Sequence, residues 1–200
     1  MIAERNPEQT RERILNAAFD EIHIHGFQGM RLEQILVSTG LAKGALYHHF
    51  VSKQALGYAV VEEIIQNCNA ITWREPLLAS SDPIATLQHI LHSSCTGHSD
   101  EEIMRGCPLN NLAQEMCGLD EGFHERLQQI YVNWTEAIAG ALAAGQKDGI
   151  VRADIDNESV AMFIVSSTQG MLGAAKCMQS SDTLQRLVAT LCDYIESLRA

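Results

Sequence analysis

Lys43, Gly44, Tyr47 and His48, in the stretch GLAKGALYHHFVSK (40–53), are the residues of this 200-residue chain whose types and spacing point most directly to chemistry. A short helix is expected from Ala42 to about His49. At about 100° per residue these four share one arc of it, opposite Ala42, Ala45 and Leu46. The arc carries a cation, a bare backbone and two aromatic hydrogen-bonding groups. That set suits a polyanion. The preceding helix carries Leu32, Ile35 and Leu36 and is stopped by Gly40. Two short helices joined by a tight glycine turn, the second with such a face, form the helix-turn-helix that enters the DNA major groove.

The elements that must position this motif read as helices throughout. Asn6, Pro7 and Gln9 make a helix start, followed by Ile14, Leu15, Ala18, Phe19 and Ile22 at helical spacing and by Gly26 as a stop. Ser52 can cap a fourth helix running through Leu56, Val60, Ile64 and Cys68 to about Trp73, with Pro76 marking its end. Asp82-Pro83 starts the next, with Ile84, Leu87, Leu91 and Ser94 on one face and Gly97 at its close. HSDEEIMRG (98–106) reads as a connection or a frayed turn. Pro108 opens a helix through Leu109, Leu112, Ala113 and Met116 to Gly118. Asp120 begins a longer one with Phe123, Leu127, Ile130, Trp134, Ile138 and Leu142, ending near Gly145 or Gly149. Nothing alternates with period two, so no sheet is expected. The fold class is all-α, about nine helices, with a helix-turn-helix domain at 1–52 and a helical domain at 53–200.

The last two helices differ in kind. From Asp156 the pattern is apolar nearly all round, including Val160, Phe163 and Ile164, and small residues such as Gly170 and Gly173 are threaded through it. The final helix spaces Leu184, Val188, Leu191, Ile195 and Leu198 as a short a/d seam. Together they predict a symmetric homodimer, with Phe163, Gly170 and the five seam residues at its interface. The alternative is a monomer whose terminal hairpin merely closes its own core.

The net charge of −11 argues against nucleic acid until it is partitioned. Residues 1–57 hold six Lys/Arg and six Asp/Glu, so the rest of the chain carries all of the excess. No acid occurs between Glu33 and Glu62, a window with two lysines and two histidines. A phosphate-facing surface needs such a gap. No run is long and apolar enough for a membrane span, and the polar start MIAERNPEQTRER has no signal-peptide core, so a cytoplasmic protein is expected. The six cysteines (68, 95, 107, 117, 177, 192) read as buried small hydrophobes, with a redox sensor at Cys107 or Cys117 as the alternative. No G-x-S-x-G, P-loop or Rossmann glycine pattern is present, so no enzyme and no cofactor are expected. His89, His92 and His98 with Asp100 to Glu102, or Glu121–His124, offer only fragments of a metal site, and none is predicted. A helical adaptor would explain the acidic half but not the arc of Lys43, Tyr47 and His48.

Over residues 11–58, and most closely over GLAKGALYHHFVSKQAL, the chain resembles the tetracycline-repressor (TetR) family of one-component bacterial regulators. Gly40, Lys43-Gly44, Leu46-Tyr47, Phe50 and Lys53 stand at that family's spacing, and RGCPLNNLAQE (105–115) looks like a segment found in some of its branches. The resemblance implies that Lys43 and Gly44 lie closest to base edges, and that Tyr47 and His49 bond phosphates. His48 would reach phosphate or base, and Lys53 would add a charge at the start of the fourth helix. Three departures stand out. Ala42 replaces the usual Ser or Thr cap, so either Thr39 substitutes or the helix starts less firmly; Arg31 replaces a hydroxyl at the start of the second helix, and Glu33 stands where many members carry a base. The implied partners are a palindromic operator in double-stranded DNA, a second copy of the chain and a small, largely apolar effector of unknown identity that releases the repressor. The pocket for that effector is expected among Trp73, Met104, Cys107, Asn110, Met116 and Phe123, together with Trp134, Met162, Phe163, Gln169 and Met171, each of which has ordinary core packing as its plainer explanation.

Overall fold

The computed structural model describes residues 7–95 and 99–200; Asn6 as a cap, Gly97 as a stop and His98 as a ligand fall outside them. Every regular element among the described residues is helical: α1 Pro7–Gly29, α2 Leu32–Thr39, α3 Lys43–His49, α4 Lys53–Ala59, α5 Gln66–Asn69, α6 Glu75–Leu78, α7 Pro83–Cys95, α8 Asp100–Arg105, α9 Pro108–Met116, α10 Glu121–Lys147, α11 Asn157–Met178 and α12 Ser181–Glu196. The only sheet-like pairing there is an isolated bridge between Val151 and Arg199.

By packing, the described residues form two compact units, one of 7–67 and 111–127 and one of 68–95, 99–110 and 128–200. The first unit therefore takes in the end of α9 and the start of α10 as well as the front helices, a division different from one at residue 52. Its core is built from Ile14, Leu15, Ala18 and Ile22 of α1, Ile35 of α2, Leu46 of α3 and Leu56 of α4, all buried. Burying each of the leucine and isoleucine side chains is worth roughly 1.5–3 kcal/mol. Gly26 breaks α1 with φ 73° and ψ 167°, the stop expected of it. Phe27 then packs on Phe123, and Tyr58 meets the same ring edge-on. Gly57 admits this cluster, since a Cβ there would lie 2.5 Å from Phe27. Ser52 caps α4 by accepting the Ala55 amide at 3.0 Å.

Three elements depart from expectation. Pro76 does not end the fourth helix, which continues from α4 through π-helical turns at Val60–Ile65 and Ala70–Arg74 to Leu78. The Glu75 amide bonds the Ala70 carbonyl five residues back, so the proline's missing N–H falls where the regular ladder is already interrupted. HSDEEIMRG is not a connection but holds α8, started by a capping box. The Ser99 hydroxyl accepts the Glu102 amide, and the Glu102 carboxylate accepts the Ser99 amide at 2.8 Å. That S-x-x-E signal was present in the sequence and outweighs the segment's polarity. Cys68 and Cys177 are exposed and so are not core hydrophobes, whereas Cys95 and Cys192 are buried.

In the second unit, α7 lies against α12 and α11 packs on α12. The seam Leu184, Val188, Leu191, Ile195 and Leu198 is buried within the single chain, none of it above 6% exposed. It is therefore not the expected dimer contact: its apolar surface is used up inside one protomer, where α12 packs against α7 and α11. Exposed apolar groups of the same hairpin are Met162, Phe163, Met178 and Leu187, with Phe163 edge-on to Tyr194 at 4.8 Å between ring centroids. Gly170 also remains exposed, on the outer side of α11.

Candidate nucleic-acid interface

Helix α3 is held in place by two buried anchors, Leu46 and Phe50. Both lie on one side of a two-turn helix, so the opposite arc must face outward. Lys43, Gly44, Tyr47 and His48 are all exposed, as is Ala42; His49 is half-buried. A Cβ built on Gly44 would meet nothing within 4 Å, so its value is an open backbone surface rather than internal fit. The Lys43 ammonium stands 5.8 Å above the Tyr47 ring, and His48 and His49 meet at 5.3 Å, nearly perpendicular.

The turn that aims α3 has a local cause. Gly40 is left-handed (φ 66°), and the amides after α2 return to the Leu36 and Val37 carbonyls. Ala42 is extended and supplies no side-chain cap to α3. Thr39 does not substitute. Its hydroxyl donates to the Ile35 carbonyl at 2.6 Å inside α2, and it is buried. Its carbonyl receives the Arg13 guanidinium, which ties α1 to the turn. At the rear of the motif the Arg11 guanidinium covers the Phe50 ring and forms a two-pronged pair with Glu63, which holds the Glu63 carboxyl below its ordinary range.

One expected contact takes on a second role. The Lys53 ammonium, expected to add a point charge at the start of α4, donates to the Gln28 carbonyl at 3.0 Å and to that of Met30 at 2.8 Å, and lies over the Phe27 ring. Arg31 is exposed just before α2, as Glu33 is in its first turn. Sequence reasoning passed over Val37 and Val51, 76% and 83% exposed, on α2 and just after α3. An apolar residue that neither core nor periodicity requires was the available signal.

The expected effector pocket is drawn together only in part. Trp73 and Trp134 meet at 4.7 Å, and Cys107 and Asn110 both reach Gln169, through its Nε2 and its carbonyl respectively. Gln169 is buried, and among the described residues its Oε1 has no hydrogen-bond partner, nor has the buried Trp134 indole N–H. Met171 is buried in α11. Met104, Met162 and Phe163 are 44–59% exposed and so do not line an interior cavity. Met116 and Phe123 belong to the first compact unit, where Phe123 is filled in by Phe27 and Tyr58. Burial pushes the Cys107 and Cys117 thiols up, and that of Cys95 to about 11.

Comparison with known proteins places these observations among relatives. Residues 14–60 match the family described as bacterial regulatory proteins, tetR family, and residues 83–191 match the tetracyclin repressor-like C-terminal domain. An HTH-type transcriptional regulator in the lacX 3' region of Lactococcus lactis subsp. lactis is 30% identical over 185 residues, covering 90% of each chain. The HTH-type transcriptional repressor DhaR of Mycobacterium sp. (strain GP1) is 24% identical, covering 85% of this chain and 84% of its own. A TetR transcriptional regulator from Chloroflexus aurantiacus J-10-FL shares the fold with a TM-score of 0.81 at 24% identity, over 98% of both chains.

Proposed function

Because this chain belongs to the tetR family of bacterial regulatory proteins, which are DNA-binding transcriptional regulators, we propose that it represses transcription from a palindromic operator and is released by a small, largely apolar ligand. The observation that carries this reading is the exposed arc of α3, with Lys43, Gly44, Tyr47 and His48 outward while Leu46 and Phe50 anchor the helix in the core. In it Lys43 reads guanine, Gly44 admits the backbone to the groove, and Tyr47, His48 and His49 bond phosphates, with Arg31 adding a charge at the start of α2. Residues 1–52 do the binding and 53–200 carry the effector site and the dimer contact. Two copies dock in successive major grooves, about one turn (~34–36 Å) apart.

The exposed stripe of Met162, Phe163, Gly170 and Leu187, with the half-buried Tyr194 beside it, supports a dimer through the outer faces of α11 and α12. The paired rings of Trp73 and Trp134 and the unpartnered Gln169 Oε1 support an apolar effector with one hydrogen-bond donor. A thiol-responsive switch has less support, since raised thiol pKa values leave little thiolate near neutrality. Selection of bound duplexes from random DNA, repeated with Lys43→Ala and Tyr47→Ala, tests the proposal. Both variants should lose operator binding while sedimenting like the wild type, and unchanged affinity would refute it.

A further inference from the structure

Helix α9 ends the segment RGCPLNNLAQE that the sequence singles out, and its Glu115 has a contact that the regulator reading leaves unused. Glu115 Oε2 accepts the Phe27 amide at 2.8 Å, and Oε1 accepts the Gln28 amide at 2.9 Å. Those donors are available because Gly26 interrupts α1 and opens a new helical turn, whose first amides have no carbonyl behind them. The approach is close: a Cβ on Gly26 would lie 2.7 Å from Glu115 Oε2. The carbonyl side of the same turn is held by Lys53, through Gln28 and Met30. The turn from Gly26 to Met30 is thus gripped by an anion from α9 and by a cation from the first residue of α4, just past α3.

We propose that Glu115 is a positioning residue for the recognition helix. It fixes the turn from Gly26 to Met30, and through Lys53 it sets how α3 is presented to the operator. This inference rests on the reading of α3 as the DNA-binding element.

Charge makes the test decisive. Removing an acid from a DNA-binding protein tightens binding if repulsion is all that changes, whereas losing a positioning contact weakens it. Full-length Glu115→Ala and Glu115→Gln remove the same charge, but the Gln amide oxygen can still accept one of the two amides. Operator affinity should fall about ten-fold for Glu115→Ala, with Glu115→Gln between it and the wild type. Dimer and helix content should be unchanged, and hydrogen-exchange protection should be lost at the Phe27 and Gln28 amides. Equal and tighter binding by both variants would overturn the proposal, as would lost amide protection with unchanged affinity. If Glu115→Ala does not fold, the direction of the Glu115→Gln change decides. A wild-type protein that selects no duplex would overturn the DNA-binding reading and this inference with it, a failure visible before any substitution is made.

Discussion

Ala42 stands where a hydroxyl or carboxylate ordinarily closes the first turn of a helix, and its methyl group leaves α3 without that bond. Ala42→Ser should therefore stabilise the protein by about 1 kcal/mol, measured as a rise in urea midpoint at constant slope. A fall would mean that the extended backbone at Ala42 does not suit the cap. Lys53 presents the opposite case, a charged group already committed to two carbonyls. Lys53→Met keeps the stem over Phe27 but removes both bonds, and should cost on the order of 1–3 kcal/mol. If Lys53 also touches phosphate, the same variant lowers the salt slope of DNA binding by about one. The two measurements separate the roles.

At the scale of elements, α12 illustrates how a periodic stripe can mislead. Leu191 is 6% exposed in the single chain, so Leu191→Glu should unfold the second unit rather than yield folded monomers. Phe163→Glu and Leu187→Glu lie on the outer face and should give folded monomers in sedimentation. A folded monomeric Leu191→Glu would move the interface back to the seam. The start of α10 makes a second point. Asp120 caps that helix through the Phe123 amide and receives the Tyr58 hydroxyl and the Gln54 amide, both at 2.6 Å. These bonds hold the Asp120 carboxyl below its ordinary range, and the same carboxylate pushes the Tyr58 phenol up. The carboxylate's contribution is present above the unfolded pKa, about 4, and is lost as pH falls through the lower folded value. The phenol's is full below about 10 and is lost as pH rises through the higher folded value. Exchange protection of the Phe123 amide should therefore be flat between those limits and fall outside them.

For the whole molecule the excess of acid lies outside the front 57 residues. The proposed binding through local contacts on α2 and α3, doubled by symmetry, should then show a log–log salt slope near −0.9 per phosphate neutralised. Acid should destabilise both units. Glu63 and Asp120 in the first, and Asp82, Asp154, Asp156 and Glu196 in the second, have lowered pKa values. Each contributes above about pH 4 and loses that contribution as pH drops through its depressed value. Unfolding midpoints should fall steeply below pH 4, and a flat profile down to pH 2 would show that these pairs contribute nothing.

Helical periodicity, Gly40, Ser52 and the outward arc of α3 were legible in the sequence because each is a local property: a 3.6-residue repeat, a left-handed turn, a hydroxyl three residues before an amide. The weak cap at Ala42 was legible for the same reason, and so was the stop at Gly26. What tertiary structure decided was which apolar faces are used up internally and which long-range partners meet. No periodicity distinguishes a seam buried against α7 from one buried against a second copy. Nor does spacing in sequence bring Glu115 to the amides of Phe27 and Gln28, 88 and 87 residues away. The two bonds of Lys53 were not legible because its carbonyl partners are backbone groups, which every residue carries and no sequence pattern marks.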